Sequence, residues 1–180
     1  MRPWFSSALA LTAVLTAIAL PTSVRSESES QLSKLGLSVA SKDGITLNYA
    51  KKNKEMVGLG SFLVNSVGDC DGCHSTNEWA AGNNPYQGQI KKIDTAKYLA
   101  GGQAFGPFTS ANLTPDNTGK PGGMTYSQFV AAIRTGADPM VPGRTLQVMP
   151  WPAFQDMTDH QLQAIYAYLS AVPSLPDGGN

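Results

Sequence analysis

Apolar residues fall into stretches of different rhythm along this 180-residue chain. From Ala8 to Leu20 the sequence is almost purely apolar, relieved only by Thr12 and Thr16, and Pro21 ends the run. Further on the rhythm becomes helical. Met56, Val57, Leu59, Leu63 and Val67 fall near one face and predict a helix from Lys54 to Val67. Gly58 and Gly60 weaken that helix by about 1 kcal/mol each relative to Ala, and two glycines so close together imply a surface where another helix comes very near. Phe129, Val130 and Ile133 predict a second helix from Thr125 to Thr135, stopped by Gly136. Leu162, Ile165, Tyr166, Leu169 and Val172 recur at i, i+3, i+4, i+7 and i+10 and predict a third from Thr158 to Val172, closed by Pro173.

The second and third helices open with the same device. "MTYSQF" and "MTDHQL" each place Thr at the N-cap and Gln three residues on, which is a capping box. The preceding Met124 or Met157 then faces Phe129 or Leu162 as a hydrophobic staple, so both methionines have a structural task. No strand-period alternation of any length follows Val67. Between residues 82 and 123, glycine and proline thicken in "AAGNNPYQGQ", "LAGGQAFGPF" and "DNTGKPGG", which predicts long ordered loops. Their Tyr86, Tyr98, Leu99, Phe105, Phe108 and Leu113 argue against disorder and require something inside the fold to pack on.

Composition narrows where such a chain works. Arg2, the apolar run and Val24-Arg25-Ser26 have the layout of a secretory leader, with cleavage expected near Ser26 and the periplasm as destination. The run is shorter than the roughly 20 residues that a spanning helix needs. An uncleaved anchor would be the one direct tie to a membrane. Loss of the leader leaves eleven Lys and Arg against thirteen Asp and Glu, a balance of −2 that argues against nucleic acid as a partner. The basic runs "KKNK" at 51–54 and "KK" at 91–92 read as solvated surface.

Both cysteines and one of the two histidines stand within five positions, in "CDGCH" at 70–74. A disulfide between Cys70 and Cys73 would close a tiny loop and add little stability. A thioredoxin-like pair needs a βαβ setting that is missing here. Zinc needs four ligands, and Cys70, Cys73, His74 and His160 would be the whole supply, with Cys73 and His74 awkwardly adjacent. The remaining chemistry is attachment of one haem c: two thiols one helical turn apart form thioethers with its vinyl groups, and the next residue, His74, offers an imidazole to the iron. A large flat hydrophobe would also give the glycine-rich loops their packing partner.

The sixth position on that iron has several candidates. His160 stands in the first turn of the last helix and reads as solvated. With Met124 and Met157 serving as staples, Met140 and Met149 remain, both in loops and both flanked by prolines. Pro150 and Pro152 would force an extended path after Met149, with Trp151 and Phe154 beside it.

With these residues in view, the chain resembles the class I cytochrome c family, especially bacterial periplasmic monohaem cytochromes similar to the haem domains of dehydrogenase cytochrome subunits. The resemblance rests on "CDGCH" at 70–74, "YLAGGQAFG" at 98–106, "SANLTPDNTG" at 110–119, "FVAAIRTG" at 129–136, "VMPWPAF" at 148–154 and "LQAIYAYL" at 162–169. It implies an all-α class I cytochrome c fold, three to five helices with long loops wrapped around one haem. It implies iron ligation by His74 and Met149, and a close glycine–aromatic contact between first and last helices from Gly58, Gly60, Phe62 and Tyr166. The resulting layout is a leader at 1–26, an extension at 27–50 without an assigned role, a cytochrome domain at 51–176 and a tail at 177–180. The long dehydrogenase subunits carry three haem motifs where this chain has one. The implied activity is electron transfer rather than catalysis. Single electrons would pass in transient encounters from a dehydrogenase or cytochrome donor to an oxidase or other acceptor. The alternative is a five-coordinate haem protein that binds or processes a small ligand, which requires Met149 to be packing only.

Overall fold

The computed structural model describes residues 28–179; the expected leader, residue 27 and the last residue of the expected tail lie outside them. Within that span run helices α1 (Glu29–Lys42), α2 (Lys54–Phe62), α3 (Cys70–His74), α4 (Tyr126–Thr135), α5 (Trp151–Phe154) and α6 (Asp159–Leu169). Strands β1 (Ala104–Phe105) and β2 (Phe108–Thr109) form an antiparallel pair, with Ala104 opposite Thr109 and Phe105 opposite Phe108. The described residues are helix-rich with little strand, compatible with the all-α expectation, and hold one helix more than the upper bound of three to five. No helix among the described residues is long and apolar enough to cross a membrane.

The reciprocal caps form as read. Thr125 with Gln128, and Thr158 with Gln161, make capping boxes at α4 and α6. Met124 is buried and Met157 packs on the core. Helix α1 uses the same device, with Ser28 and Gln31 satisfying each other's backbone amides. It occupies most of the segment that matched nothing in the sequence.

Helix α2 lies between α1 and α6 and meets each at a contact where only glycine fits. A Cβ on Gly36 would overlap the Gly58 carbonyl oxygen, and one on Gly58 would overlap Ser33. Two hydroxyls bind across this crossing: Ser33 Oγ donates to the Glu55 carbonyl (2.8 Å), and Ser61 Oγ to the Gly36 carbonyl (2.7 Å). On the opposite side, a Cβ on Gly60 would overlap the Ala164 carbonyl and press on Tyr168. The two glycines therefore serve two neighbours, not one. The aromatic at the α6 crossing is Tyr168, whereas Tyr166 turns to α4. There its ring packs 5.4 Å from Tyr126 and 5.6 Å from Phe129, and its hydroxyl donates to the Met124 carbonyl. Tyr168 and Tyr166 point to different partners because residues two apart on a helix do not share a face.

Past Phe62 the helix does not continue as α. Residues Leu63–Val67 widen into a π-turn, closed by the Gly68 N–H to the Leu63 carbonyl (2.8 Å). Within the turn, Asn65 Nδ2 donates to the Ser61 carbonyl (2.9 Å) and to Tyr168 Oη (3.0 Å), and Asn65 Oδ1 accepts the Tyr98 hydroxyl. The Tyr98 and Tyr168 hydroxyls lie 2.8 Å apart. This buried network ties the helical layer to the glycine-rich loop.

In that loop Tyr98 and Leu99 are buried, and Phe105, Phe108 and Leu113 are half-buried. Tyr86 departs from expectation: with 87% of its surface exposed, it tops a turn at Pro85–Gln87 beside the 84%-exposed Ile90. The chain end folds back over the loops. The Leu175 N–H donates to Thr114 Oγ1 (3.1 Å), Asn112 Nδ2 to the Leu175 carbonyl (2.9 Å), and the Gly178 N–H to the Ala100 carbonyl (2.8 Å).

Candidate functional site

The three residues of the "CDGCH" motif that carry chemistry share one helical turn. Asp69, in the left-handed conformation at φ +46°, turns the chain sharply out of the π-turn, and α3 follows immediately. Cys70 and Cys73 are free thiols, the first half-buried and the second exposed. Burial, and after it the charge of Asp69, pushes the Cys70 thiol up to about 12. A thiol so protonated is a poor redox nucleophile, which counts against the thioredoxin-like reading. Among the described residues no three His, Cys, Asp or Glu side chains converge as a metal-binding set, so a tetrahedral zinc site has no ligands to draw on.

His74 is held by its ring. Its Nδ1 lies 2.7 Å from the Ala111 carbonyl oxygen, an acceptor only, so Nδ1 carries the proton and donates it. Burial holds the imidazole below its usual range, opposed by the hydrogen bond to Ala111. The result is a neutral ring with Nε2 left as its lone-pair nitrogen, the state in which histidine binds metals.

Ala111 reaches His74 through an unusual backbone path. Leu99, fully buried, stands at φ +57°, where non-glycine residues are uncommon. Its N–H donates to Ser75 Oγ (2.9 Å) and its carbonyl accepts the Leu113 N–H (2.8 Å). The Gly101 N–H donates to the His74 carbonyl (2.7 Å), and a Cβ on Gly101 would strike the backbone between Ala111 and Asn112. Only glycine lets the two runs of this loop pass so closely over the histidine.

The two open methionines separate clearly. Met140 is 73% exposed on the loop after α4. That loop is clamped by Arg144 on the buried Asp138 carboxylate (2.7 Å), and Asp138 also accepts the Met140 N–H (2.8 Å). Met149 is half-buried and packs against the core. The residues after Met149 are not extended, as expected, but form α5, because Pro152 falls in the first turn, where a proline costs no hydrogen bond. Trp151 at the head of α5 lies against Gly136, and its Nε1 donates to the Leu146 carbonyl (3.2 Å). His160 stays outside this arrangement: its Nε2 lies 2.8 Å from Glu29 Oε1, joining the starts of α6 and α1.

Two thiols a turn apart, an imidazole with a free Nε2 and a thioether on the core surface fit a covalently bound haem. Exposed Val67 (57%) and Val148 (44%), next to the attachment turn and to Met149, supply apolar surface that a macrocycle would cover. Sequence reasoning missed Asp71 and Ser75, buried partners inside and just after the motif, and missed the Ala111 carbonyl and the Asn65 network.

No family model matches the chain, and no solved structure does. Among curated proteins, it is 31% identical over 129 residues to the gluconate 2-dehydrogenase cytochrome c subunit of Pantoea cypripedii, covering 68% of this chain and 26% of that one. It is 34% identical over 114 residues to the cytochrome c subunit of the quinone alcohol dehydrogenase of Gluconacetobacter polyoxogenes, covering 63% and 21%. It is 30% identical over 125 residues to the fructose dehydrogenase cytochrome subunit of Gluconobacter japonicus, covering 67% and 22%. The chain thus spans about a quarter or less of the length of these relatives. At that coarse level the similarity is to proteins named as cytochrome subunits of dehydrogenases.

Proposed function

We propose that this chain is a periplasmic class I c-type cytochrome. It carries one haem c bonded to Cys70 and Cys73 and ligated by His74 and Met149, and passes single electrons from a dehydrogenase or cytochrome donor to a downstream acceptor. The observation that carries the reading is the His74 ring, fixed through Nδ1 on the Ala111 carbonyl and standing one residue after the free thiol of Cys73 and four after that of Cys70. The haem, when bound, supplies the one-electron chemistry. The chain supplies the rest. Cys70 and Cys73 anchor, the Ala111 carbonyl fixes the ring plane of His74 and raises its donor strength, and Met149 offers a soft thioether that favours the reduced form. The buried Tyr98 and Leu99 wall the loop side against water. Similarity to dehydrogenase cytochrome subunits supports a dehydrogenase as donor.

The test is production with the cytochrome maturation machinery present. Intact mass should exceed the leaderless chain by one haem that resists acid–acetone extraction; a colourless protein ends the reading. Met149→Ala should lose the weak ferric Met–iron band and open the ferrous iron to carbon monoxide, while Met140→Ala should do neither. The reverse pattern would transfer the sixth ligand to Met140. Fast carbon monoxide binding by the unmutated protein would favour the five-coordinate alternative.

A further inference from the structure

Asp71 is a costly residue to bury. Its side chain sits inside the attachment turn, 6% exposed, and its acceptor contacts are the Ser75 hydroxyl and, at 3.4 Å, the Leu99 N–H. Ser75, 2% exposed, faces both ways: its hydroxyl donates to Asp71 Oδ1, and its oxygen accepts the Leu99 N–H at 2.9 Å. That N–H belongs to the buried leucine at φ +57°, a conformation that side chains other than glycine rarely adopt and that persists only where its surroundings impose it. From Leu99 the backbone grips the histidine at two points. Gly101, two residues on, binds the His74 carbonyl, and Leu113, bound to the Leu99 carbonyl, stands two residues past Ala111, the acceptor of His74 Nδ1.

We infer that Asp71 and Ser75 are positioning residues for His74: the Ser75 hydroxyl, oriented by Asp71, holds Leu99 left-handed and thereby sets the Ala111 carbonyl on the His74 ring. The positioning is a property of the chain; its consequence for the iron rests on the haem reading above. A strong Nδ1–H···O=C bond makes the imidazole a better donor and favours the oxidised form, so loosening it raises the reduction potential.

The experiment compares the haem-loaded protein with Ser75→Ala, Asp71→Asn and Ser75→Thr, reading solvent exchange of the His74 Nδ1 proton by NMR and the midpoint potential. Ser75→Ala should speed that exchange by roughly tenfold or more, the scale of one lost hydrogen bond, and raise the potential. Asp71→Asn should act in the same direction but less, since the amide oxygen still accepts the Ser75 hydroxyl. Ser75→Thr should match the unmutated protein, because it keeps the hydroxyl and the backbone at residue 75 (φ −133°, ψ 141°) is extended, which suits a β-branched side chain. A Ser75→Ala protein that unfolds earlier but keeps the original exchange rate and potential overturns the inference, leaving the pair a stabilising contact only. If Ser75→Ala fails to fold, unchanged exchange in Asp71→Asn overturns it equally. If the unmutated protein takes no haem, the haem reading falls. Imidazole 15N shifts of the same variants, which report the Nδ1–H tautomer, then decide the positioning by themselves.

Discussion

The helical layer and the loop layer of this molecule are held together by opposite means. Where α2 passes between α1 and α6, backbones touch, glycines are obligatory and two serine hydroxyls bind across the gap. The loops from residue 76 to 123 and from 137 to 150 contribute few fully buried side chains. They are shaped by main-chain hydrogen bonds, left-handed turns and a strained Leu99, while Phe105, Phe108, Leu113 and Met149 stay half covered. A layer built this way is fixed more by its backbone than by buried side chains. Half-covered apolar side chains on rigid loops are the mould of something that sits against them.

The contrast is tested most severely by removing the anchor. With Cys70 and Cys73 both changed to Ala, amide exchange in residues 104–113 and 137–149 should accelerate by roughly a hundredfold more than in α1, α2 and α6, as expected where few buried apolar contacts protect the backbone. Equal loss of protection in both layers would show that the helices depend on the proposed haem as much as the loops do.

A methyl group added in each layer gives the next largest effect. Gly60→Ala forces a Cβ into the Ala164 carbonyl and should cost about 3 kcal/mol or more. Gly143→Ala meets nothing within 4 Å and bears only the strain of φ +81°, which should cost about 1 kcal/mol. Urea midpoints of the two variants compare them directly, and similar values would abolish the distinction.

Acid titration probes the seam between the layers. Burial, opposed by the hydrogen bonds from Ser75 and Leu99, pushes the Asp71 carboxyl from 3.8 up to about 6. Between those values the folded chain keeps a proton that the unfolded chain releases, so unfolding free energy falls as pH rises. Below the window Asp71 contributes nothing, and above it the full cost of about 3 kcal/mol remains. The difference between the unmutated protein and Asp71→Asn across pH 4 to 7 should show that slope, and a flat difference would mean that Asp71 is solvated.

The smallest effect concerns the surface. Lys91 is paired with Asp43 at 3.5 Å and Lys54 lies over the Tyr49 ring at 5.3 Å, so the two basic runs are partly engaged within the chain. Stopped-flow reduction by the donor should change less than about tenfold between low and physiological salt. A larger fall would reveal a charged docking patch on one of the layers.

The sequence announced the helices whose buried faces are large and apolar. Leu162, Ile165 and Leu169 mark α6, and the Thr–Gln boxes fixed both starts. Helix α1 carries the same box at Ser28 and Gln31, yet its buried residues are Ser33, Gly36 and Ala40. Small side chains bury a helix by close approach, and a search for apolar periodicity does not see them. The resemblance likewise places Gly58 at the crossing with the last helix, whereas its contacts are Ser33 and Leu37 of α1. The attachment turn was legible because cysteine and histidine are rare and their spacing is chemical. The acceptor of His74 was not, since every residue offers a carbonyl and only the fold selects Ala111. Tyr86 was expected inside because it is aromatic, but the Asn84–Pro85 turn carries it outward.

The sandwiched position of α2 also sets an order of assembly. Its α1 neighbour is reached by closing residues 43–53, whereas its α6 neighbour requires closing residues 63–158, a difference of roughly 2 kcal/mol in chain entropy. For a chain that emerges N-terminus first, α1 and α2 can dock while α6 is still to come. The Gly60 side of α2 then stays bare, and Cys70 and Cys73 trail directly behind a docked helical pair with nothing yet folded over them. The turn that carries them is then open, on a tether already fixed at one end, until the loop carrying Ala111 closes on His74.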